Sequence, residues 1–308
     1  MLALAIPWIL LTLLIIIVLL LLKKKWCLSI SFFIIVLVIN WWGECVPLRF
    51  WDKNNESEVP SLKVMCFNIN SSDAGSNDKP QQIKNLIKKC DPDVVFLSEF
   101  ADYKPQRLDS LLKLDFSYNT FPSSLCNHYF YSKYPLIDFN RLVIEGLDDE
   151  LGVFACSILL NNETIRIFGC HLASNNYTKS RDYLRPKDIH SVKNAFRYLE
   201  NIKSADLLRR KEAKALIHEM HKTERPIIVM GDFNDVGGSS VIKMIERSGL
   251  KDVWWQGCAG YGATIRSPLP YRIDHIFYNP NLTLLRVKKI SSEGLSDHDA
   301  LYAEFAFQ

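Results

Sequence analysis

The sequence predicts an α/β domain carried on an N-terminal apolar helical hairpin. Three observations give that class: two long uncharged apolar stretches open the chain, short apolar runs then alternate with helical patterns, and each run ends in a turn signal or a polar residue. At 308 residues there is room for the hairpin and one domain of about 250 residues, enough to bury a core without staples.

Residues 1–22 carry no charge and are nearly all Leu, Ile, Val and Ala, long enough at about 1.5 Å per residue to cross a hydrocarbon layer of about 30 Å. A second apolar run follows at 26–42, with tryptophans at both ends that suit the two membrane interfaces. Together they predict two transmembrane helices, about 2–22 and 26–42, and an integral membrane protein. The turn between them, Lys23-Lys24-Lys25, belongs on the cytoplasmic side, which places everything after Gly43 across the membrane and makes the domain extracytoplasmic. A cleaved secretory signal fits less well, because no basic residue precedes the first run and a second run follows it.

Those three lysines are the only charges before Glu44, so of 37 basic and 34 acidic residues the remainder of the chain holds 34 of each. A formally neutral domain lacks the basic field that grips long nucleic acid nonspecifically, though a local patch stays open. Cys45, Cys66, Cys90, Cys126, Cys156, Cys170 and Cys258 show no paired spacing, and several lie in apolar runs, so they read as small buried hydrophobes and not as a disulfide framework. That usage weighs against the outward placement without reversing it.

A polar linker is predicted over 44–60 and a single domain over 61–308. Within the domain the runs predict strands at 62–67, 94–98, 154–160, 164–170, 226–230, 273–278 and 300–307, and helices at 79–89 and 188–222. Asp91-Pro92-Asp93 supplies the turn before the second strand. Strands buried on both faces leave their polar ends as the places where distant parts of the chain converge on a substrate.

Six segments set carboxylate, amide or imidazole at such an end. They are Cys66-Phe67-Asn68-Ile69-Asn70, Phe96-Leu97-Ser98-Glu99-Phe100, Phe168-Gly169-Cys170-His171-Leu172, Met230-Gly231-Asp232-Phe233-Asn234-Asp235, Arg272-Ile273-Asp274-His275-Ile276 and Leu295-Ser296-Asp297-His298-Asp299. Singly each reads as a cap, a turn or a satisfied histidine. Together they supply what phosphoester hydrolysis requires: oxygen ligands for a hard cation, a group to align water, and donors for the phosphoryl and leaving oxygens.

In their order, the six segments resemble the endonuclease/exonuclease/phosphatase superfamily over nearly the whole soluble domain. The resemblance implies a deoxyribonuclease I-like four-layer α/β sandwich, two packed mixed sheets flanked by helices. It also implies a Mg²⁺ or Mn²⁺ site in which Glu99 is the principal ligand, helped by Asn68 and Asp297. Asp232 would orient or deprotonate the attacking water, Asn234 would hold a nonbridging oxygen, and His171 would stabilise charge on the phosphoryl group or leaving oxygen. His298 would bind the scissile phosphate or shuttle a proton, with Asp274 fixing its tautomer. Asp232 and the Asp274–His298 pair both remain open as the base.

Other residues take blander expectations. Asp235, His275 and Asp299 adjoin motif residues but point to the opposite face, which favours structural roles. Asn70 either joins the metal shell or caps a turn. Trp254, Trp255 and Tyr261 suit stacking on a base or sugar, although burial is the commoner use. Residues 179–214 hold eleven Lys or Arg against five Asp or Glu, read as a solvated helix before a guide for anions or a lipid-facing surface. The function expected is a metal-dependent phosphoesterase whose substrate is a nucleic acid, a phospholipid headgroup or a small phosphate ester, with the lipid bilayer as partner and no protein partner. A membrane-anchored binding module without turnover is the competing class, and the undamaged metal set argues against it.

Overall fold

The computed structural model describes residues 2–43, 46–47, 60–70, 78–100, 105–120, 127–142, 152–160, 163–175, 192–266 and 270–307. The two apolar runs form helices, α1 (Leu2–Leu22) and α2 (Trp26–Gly43), turned back on each other at the lysines. Leu10, Ile17 and Val36 pack between them with Ile6, Leu13, Phe32 and Ile39, while the outward face, including Ile15, Val18, Leu19, Ile30 and Val38, is apolar and exposed. Only Ala3–Leu22 has the length and hydropathy, a mean of 3.1, to cross a membrane; the apolar part of α2, Trp26–Asn40, falls short. Its fifteen apolar residues reach roughly 22 Å at about 1.5 Å each, and the whole 18-residue helix about 27 Å, close to a hydrocarbon layer of about 30 Å.

The remaining elements are β1 (Ser61–Asn68), α3 (Lys79–Cys90), β2 (Val94–Ser98), α4 (Pro105–Leu112), β3 (Tyr118–Asn119), β4 (Tyr129–Ser132), β5 (Leu136–Arg141), β6 (Gly152–Leu160), β7 (Glu163–His171), α5 (Val192–Met220), β8 (Ile227–Asp232), α6 (Ser240–Arg247), β9 (Lys251–Asp252), α7 (Val253–Gly257), β10 (Asp274–Tyr278), β11 (Leu282–Ile290) and β12 (Ala300–Phe307). They build two six-stranded sheets, in the orders β11-β12-β1-β2-β4-β3 and β5-β6-β7-β8-β10-β9. Both are mixed: β1 and β2 run parallel, as do β7 and β8, and the other pairs are antiparallel.

The two-residue period of the strands makes the layers. On β1, Leu62, Val64 and Cys66 join the central core, where they meet Ile165, Ile167, Ile228 and Met230 of the other sheet. Their neighbours Met65 and Phe67 face the opposite way, onto Ile83 and Ile87 of α3 and Leu108 and Leu112 of α4. In the second sheet Phe168, Val229 and Phe277 turn outward onto Ala213 and Leu216 of α5 and Val241 and Ile245 of α6. The result is helix, sheet, sheet, helix, the four-layer sandwich expected. Cys66, Cys156, Cys170 and Cys258 are buried, and the six cysteines among the described residues are free, as their spacing suggested; Cys45 and Cys126 lie outside those residues.

The strands expected from apolar runs form, with ends shifted by a residue or two. The predicted helix over 188–222 is α5, whose described part starts at Val192. Elements the pattern left unassigned have physical reasons for their silence. On β11 a bulge between Leu284 and Arg286 breaks the alternation. On β5 another falls between Ile137 and Asn140, and Ile137 and Phe139 are exposed on an edge strand. The linker expected at 44–60 lies almost wholly outside the described residues.

Candidate active site

Strand register carries the chemistry to one end of both sheets. Parallel pairing sets Asn68 beside Ser98, and so beside Glu99, and sets His171 level with Asp232. Antiparallel β10 meets β8 with Asp274 opposite Asp232, so its first residue shares that end. Since β12 runs against β1 with Leu301 opposite Cys66, the turn before it delivers Asp297 and His298 to the same rim.

Asn68 is the hinge of the cluster. Its amide Nδ2 donates to Glu99 Oε1 at 3.0 Å and to Asp232 Oδ2 at 3.1 Å, joining the sheets across their seam. His171 Nε2 approaches Glu99 Oε1 to 3.2 Å and Asp232 Oδ2 to 3.9 Å. On the other side His298 Nε2 lies 3.8 Å from Asp232 Oδ2, while its Nδ1 bonds Asp274 Oδ2 at 2.8 Å. Asp274 is aimed from behind, where Thr264 Oγ1 accepts from the Ile273 and Asp274 N–H groups at 3.1 Å each.

Asn70 and Asn234 act as braces. Asn70 N donates to Asn68 Oδ1 at 3.0 Å, and its Nδ2 holds Asp297 Oδ1 at 2.8 Å. Asn234 gives its N–H to Asp232 Oδ1 at 2.7 Å and its Nδ2 to the Leu172 carbonyl at 2.9 Å. Asn70, Glu99 and Asn234 all have positive φ, of 37°, 57° and 50°. That costs a residue with a Cβ about 1 kcal/mol or more, and it turns the chain sharply at the strand end. Gly231 has φ 138°, and a Cβ there would lie 2.0 Å from the Cys170 carbonyl, so the residue before Asp232 must be glycine for β8 to sit this close to β7.

The electrostatics divide the groups by task. Burial opposes charge on Glu99, but hydrogen bonds from His171 and Asn68 and the His171 charge win, bringing its carboxyl down to about 2. Burial, and then the Asp274 charge, push Asp232 up to about 6. Burial opposes the His298 charge, yet Asp274 overrides it, by charge and hydrogen bond, and lifts the imidazole to about 10. His171 is likewise raised, against burial, by Glu99 and Asp232.

Two groups among the described residues have ligand atoms close enough to share one cation: Glu99, His171 and Asp232, and Asp232, Asp274 and His298, with all ligand atoms within 4.8 Å in each. Each group sets two carboxylates beside one imidazole, and the Glu99 side chain, 39% exposed, stands at the open side of the first. Asp297, expected beside Glu99, is held one step away by Asn70 and by Ser296 Oγ at 3.4 Å. His171 stands in the first of these groups itself.

Sequence reasoning missed His128. Its Nε2 lies 2.9 Å from His171 Nδ1, and its ring stacks between Phe96 and Phe154. Burial, then the His171 charge, hold it neutral, well below an ordinary imidazole, so it accepts the His171 Nδ1–H and leaves Nε2 facing Glu99. The signal was one of direction: β4 runs antiparallel to β2, so its first residues, and not its last, reach the catalytic end. His128→Ala is expected to lower kcat about tenfold or more with little change in KM, as loss of an orienting partner does, and His128→Gln to recover part of it. Equal kcat in wild type and His128→Ala would refute the role.

A second omission lies under the loop after His171. Glu212 Oε2 accepts from Ala173 N at 2.9 Å, and Arg209 Nη1 donates to the Ala173 carbonyl at 2.9 Å and to Asn175 Oδ1 at 2.8 Å. Both are buried on α5, the helix read as solvated. Arg181, Arg185 and Lys187 of the same basic stretch lie outside the described residues.

The neighbours expected to be structural are so placed. His275 is enclosed between Asp252 Oδ2 at 2.9 Å and the Asp235 carbonyl at 3.0 Å. Asp299 is tied to Arg266, Lys289 and Ser292 N. Asp235 faces Arg209 at 3.5 Å. Trp254 is buried in the central core, with its indole N–H on the Gly260 carbonyl at 3.0 Å.

Comparison with known proteins agrees with this fold. Among curated proteins none matches the chain by sequence. Solved structures do match in fold. The human nocturnin catalytic domain with bound sulfate aligns over 83% of this chain and 97% of its own, at 18% identity and a TM-score of 0.60. TDP2 from D. rerio, complexed with a single-strand DNA product, aligns over 80% and 98%, at 17% identity and 0.58. An endonuclease/exonuclease/phosphatase from Beutenbergia cavernae aligns over 80% and 72%, at 18% and 0.56. The family model described as "Endonuclease/Exonuclease/phosphatase family" matches residues 65–298, a span that includes every candidate residue from Asn68 to His298. The chain therefore belongs to the endonuclease/exonuclease/phosphatase family.

Proposed function

We propose that the chain is a divalent-metal-dependent hydrolase of phosphate esters, tethered to a membrane by its N-terminal hairpin, with the lysine turn cytoplasmic and the domain on the far side. One observation carries the chemistry: an unbroken line of contacts from Glu99 through Asn68 and Asp232 to His298 and Asp274, drawn from both sheets. Likeness to a TDP2 crystallised with a DNA product and a nocturnin domain holding sulfate supports a phosphoryl group as the ligand.

Glu99, Asn68 and, through Asn70, Asp297 would hold Mg²⁺ or Mn²⁺. When bound, the ion would neutralise charge on the phosphoryl oxygens. His298, kept cationic by Asp274, suits a phosphoryl oxygen better than a water proton. Asp232, ionised near neutrality yet lifted toward 6, has the basicity to accept that proton. His171, with His128 behind it, offers its positive charge toward the phosphoryl group or leaving oxygen, and the Asn234 amide is fixed beside Asp232.

The full-length protein in detergent is expected to hydrolyse bis-p-nitrophenyl phosphate with Mg²⁺ or Mn²⁺, to stop on chelation, and to recover when the ion is restored. Absence of hydrolysis with either ion would overturn the reading.

A further inference from the structure

The hairpin is fastened to the catalytic end of the domain, and by both its arms. Trp8 Nε1 donates to Tyr271 Oη at 3.0 Å, the two rings meeting edge to face at 6.3 Å, and Tyr271 Oη donates to the Leu4 carbonyl at 3.3 Å. At the other arm Asn40 closes on Val46 through two hydrogen bonds of 2.8 and 3.0 Å, and the next residue, Pro47, accepts from Gly260 N at 3.2 Å.

Tyr271 is three residues ahead of Asp274, at most about 10 Å of chain. Its backbone pairs with Ile265, which bridges directly to His298, and Thr264 beside it aims Asp274. The surface that seizes the hairpin is thus the back of the catalytic rim. Trp8 is six residues into α1, about 9 Å along the axis. A helix crossing the membrane from its first turn therefore carries Tyr271 at the inner boundary of the headgroup layer, which is about 5–7 Å thick on each side. An indole and a phenol are the side chains that settle there.

A third element continues this surface. Tyr198, near the start of α5, is raised above an ordinary phenol by burial and then by the neighbouring Tyr271. Along the same helix Phe196, Leu199 and Leu207, 64%, 46% and 55% exposed, make an apolar stripe with exposed Arg197 and Lys203 alongside. That pairing of apolar and basic residues is what a helix lying in an anionic lipid interface presents.

We propose that the hairpin and the first turns of α5 seat the catalytic rim in the headgroup layer, and that the substrate is the phosphodiester of a membrane phospholipid; this rests on the phosphoesterase reading above. Water adds to phosphorus, giving its proton to Asp232. One P–O ester bond breaks, and the departing alcohol oxygen takes a proton. The products are one alcohol and one phosphomonoester, whichever ester bond is cut.

The test uses the full chain reconstituted into vesicles of phosphatidylcholine and phosphatidylglycerol with Mg²⁺, read by ³¹P NMR for phosphomonoester, with bis-p-nitrophenyl phosphate as the soluble arm. Wild type is expected to convert lipid in both leaflet-accessible and detergent-mixed forms. The triple variant Trp8→Phe, Phe196→Ser, Leu199→Ser is expected to lose about tenfold or more of the vesicle rate, since it removes two apolar contacts and one hydrogen bond, while keeping the soluble rate. Hydrolysis of the soluble ester without any phosphomonoester from lipid overturns the substrate assignment and leaves the phosphoesterase reading standing. Hydrolysis of neither overturns that reading first. Lipid hydrolysis equal in the triple variant and wild type overturns the seating. The wild-type arms decide the substrate even if the variant does not fold.

Discussion

Asp232→Asn is expected to lower kcat on bis-p-nitrophenyl phosphate by about a thousandfold, about 4 kcal/mol of transition-state stabilisation. The substitution keeps the shape of the side chain and the amide oxygen can still accept from Asn234 N, while the bond from Asn68 Nδ2 and the basicity are lost. Stability should move the other way. The folded carboxyl lies near 6, above an unfolded value of about 3.9, so the ionised group destabilises the fold at neutral pH and this penalty vanishes as pH falls below that range. In chelator at pH 7 the thermal midpoint of Asp232→Asn should therefore equal or exceed that of wild type. A variant that retains most of its turnover would remove Asp232 from the role of base, leaving the Asp274–His298 pair as the candidate.

The largest effect on stability should come from a residue without a place in the chemistry. Asp252 is fully enclosed, with its Oδ2 on Arg272 Nη1 at 2.7 Å and on His275 Nδ1 at 2.9 Å, and its Oδ1 on Trp254 N at 2.8 Å as the cap of α7. Asp252→Ala strands a buried guanidinium and uncaps the helix, which typically costs about 3–5 kcal/mol. For a domain of this size that lowers the thermal midpoint by roughly 10 °C. Burial opposes the Asp252 charge, but Arg272 and His275 hold the carboxyl well below its usual range. Its stabilisation is therefore complete above the unfolded value of about 4 and drains away as pH falls below it. Melting curves between pH 7 and pH 3 should show wild type losing its advantage over the variant on the acid side. A constant difference across that range would mean that the ion pair is not its source.

The six polar strand ends were legible in the sequence because parallel and antiparallel strands both bring polar residues to a rim, and an apolar run makes its terminal Asn, Asp or His conspicuous. Glu99 and Asp232 stood out in that way, and the structure brings them together through Asn68. What stayed hidden depended on partners far along the chain. His128 comes just before a strand of only four residues that had no helical or alternating neighbours to announce it. Arg209 and Glu212 looked like part of a charged, solvated face, since a sequence cannot tell a cation facing water from one enclosed over a loop carbonyl. The positive φ of Glu99 was equally invisible, because glutamate carries no preference for that region. Nor did composition reveal that Trp8, placed among leucines, would be tied to Tyr271.

The division of the site between two sheets has a consequence for the life of the chain. Asn68, Glu99 and His298 belong to one sheet, and His171, Asp232 and Asp274 to the other, with the central core and the bonds at the seam setting the gap between them. Before that core closes the chain carries two separate halves, and only its closing assembles the site. Maturation is thus its own safety catch: an unfinished molecule holds no assembled site.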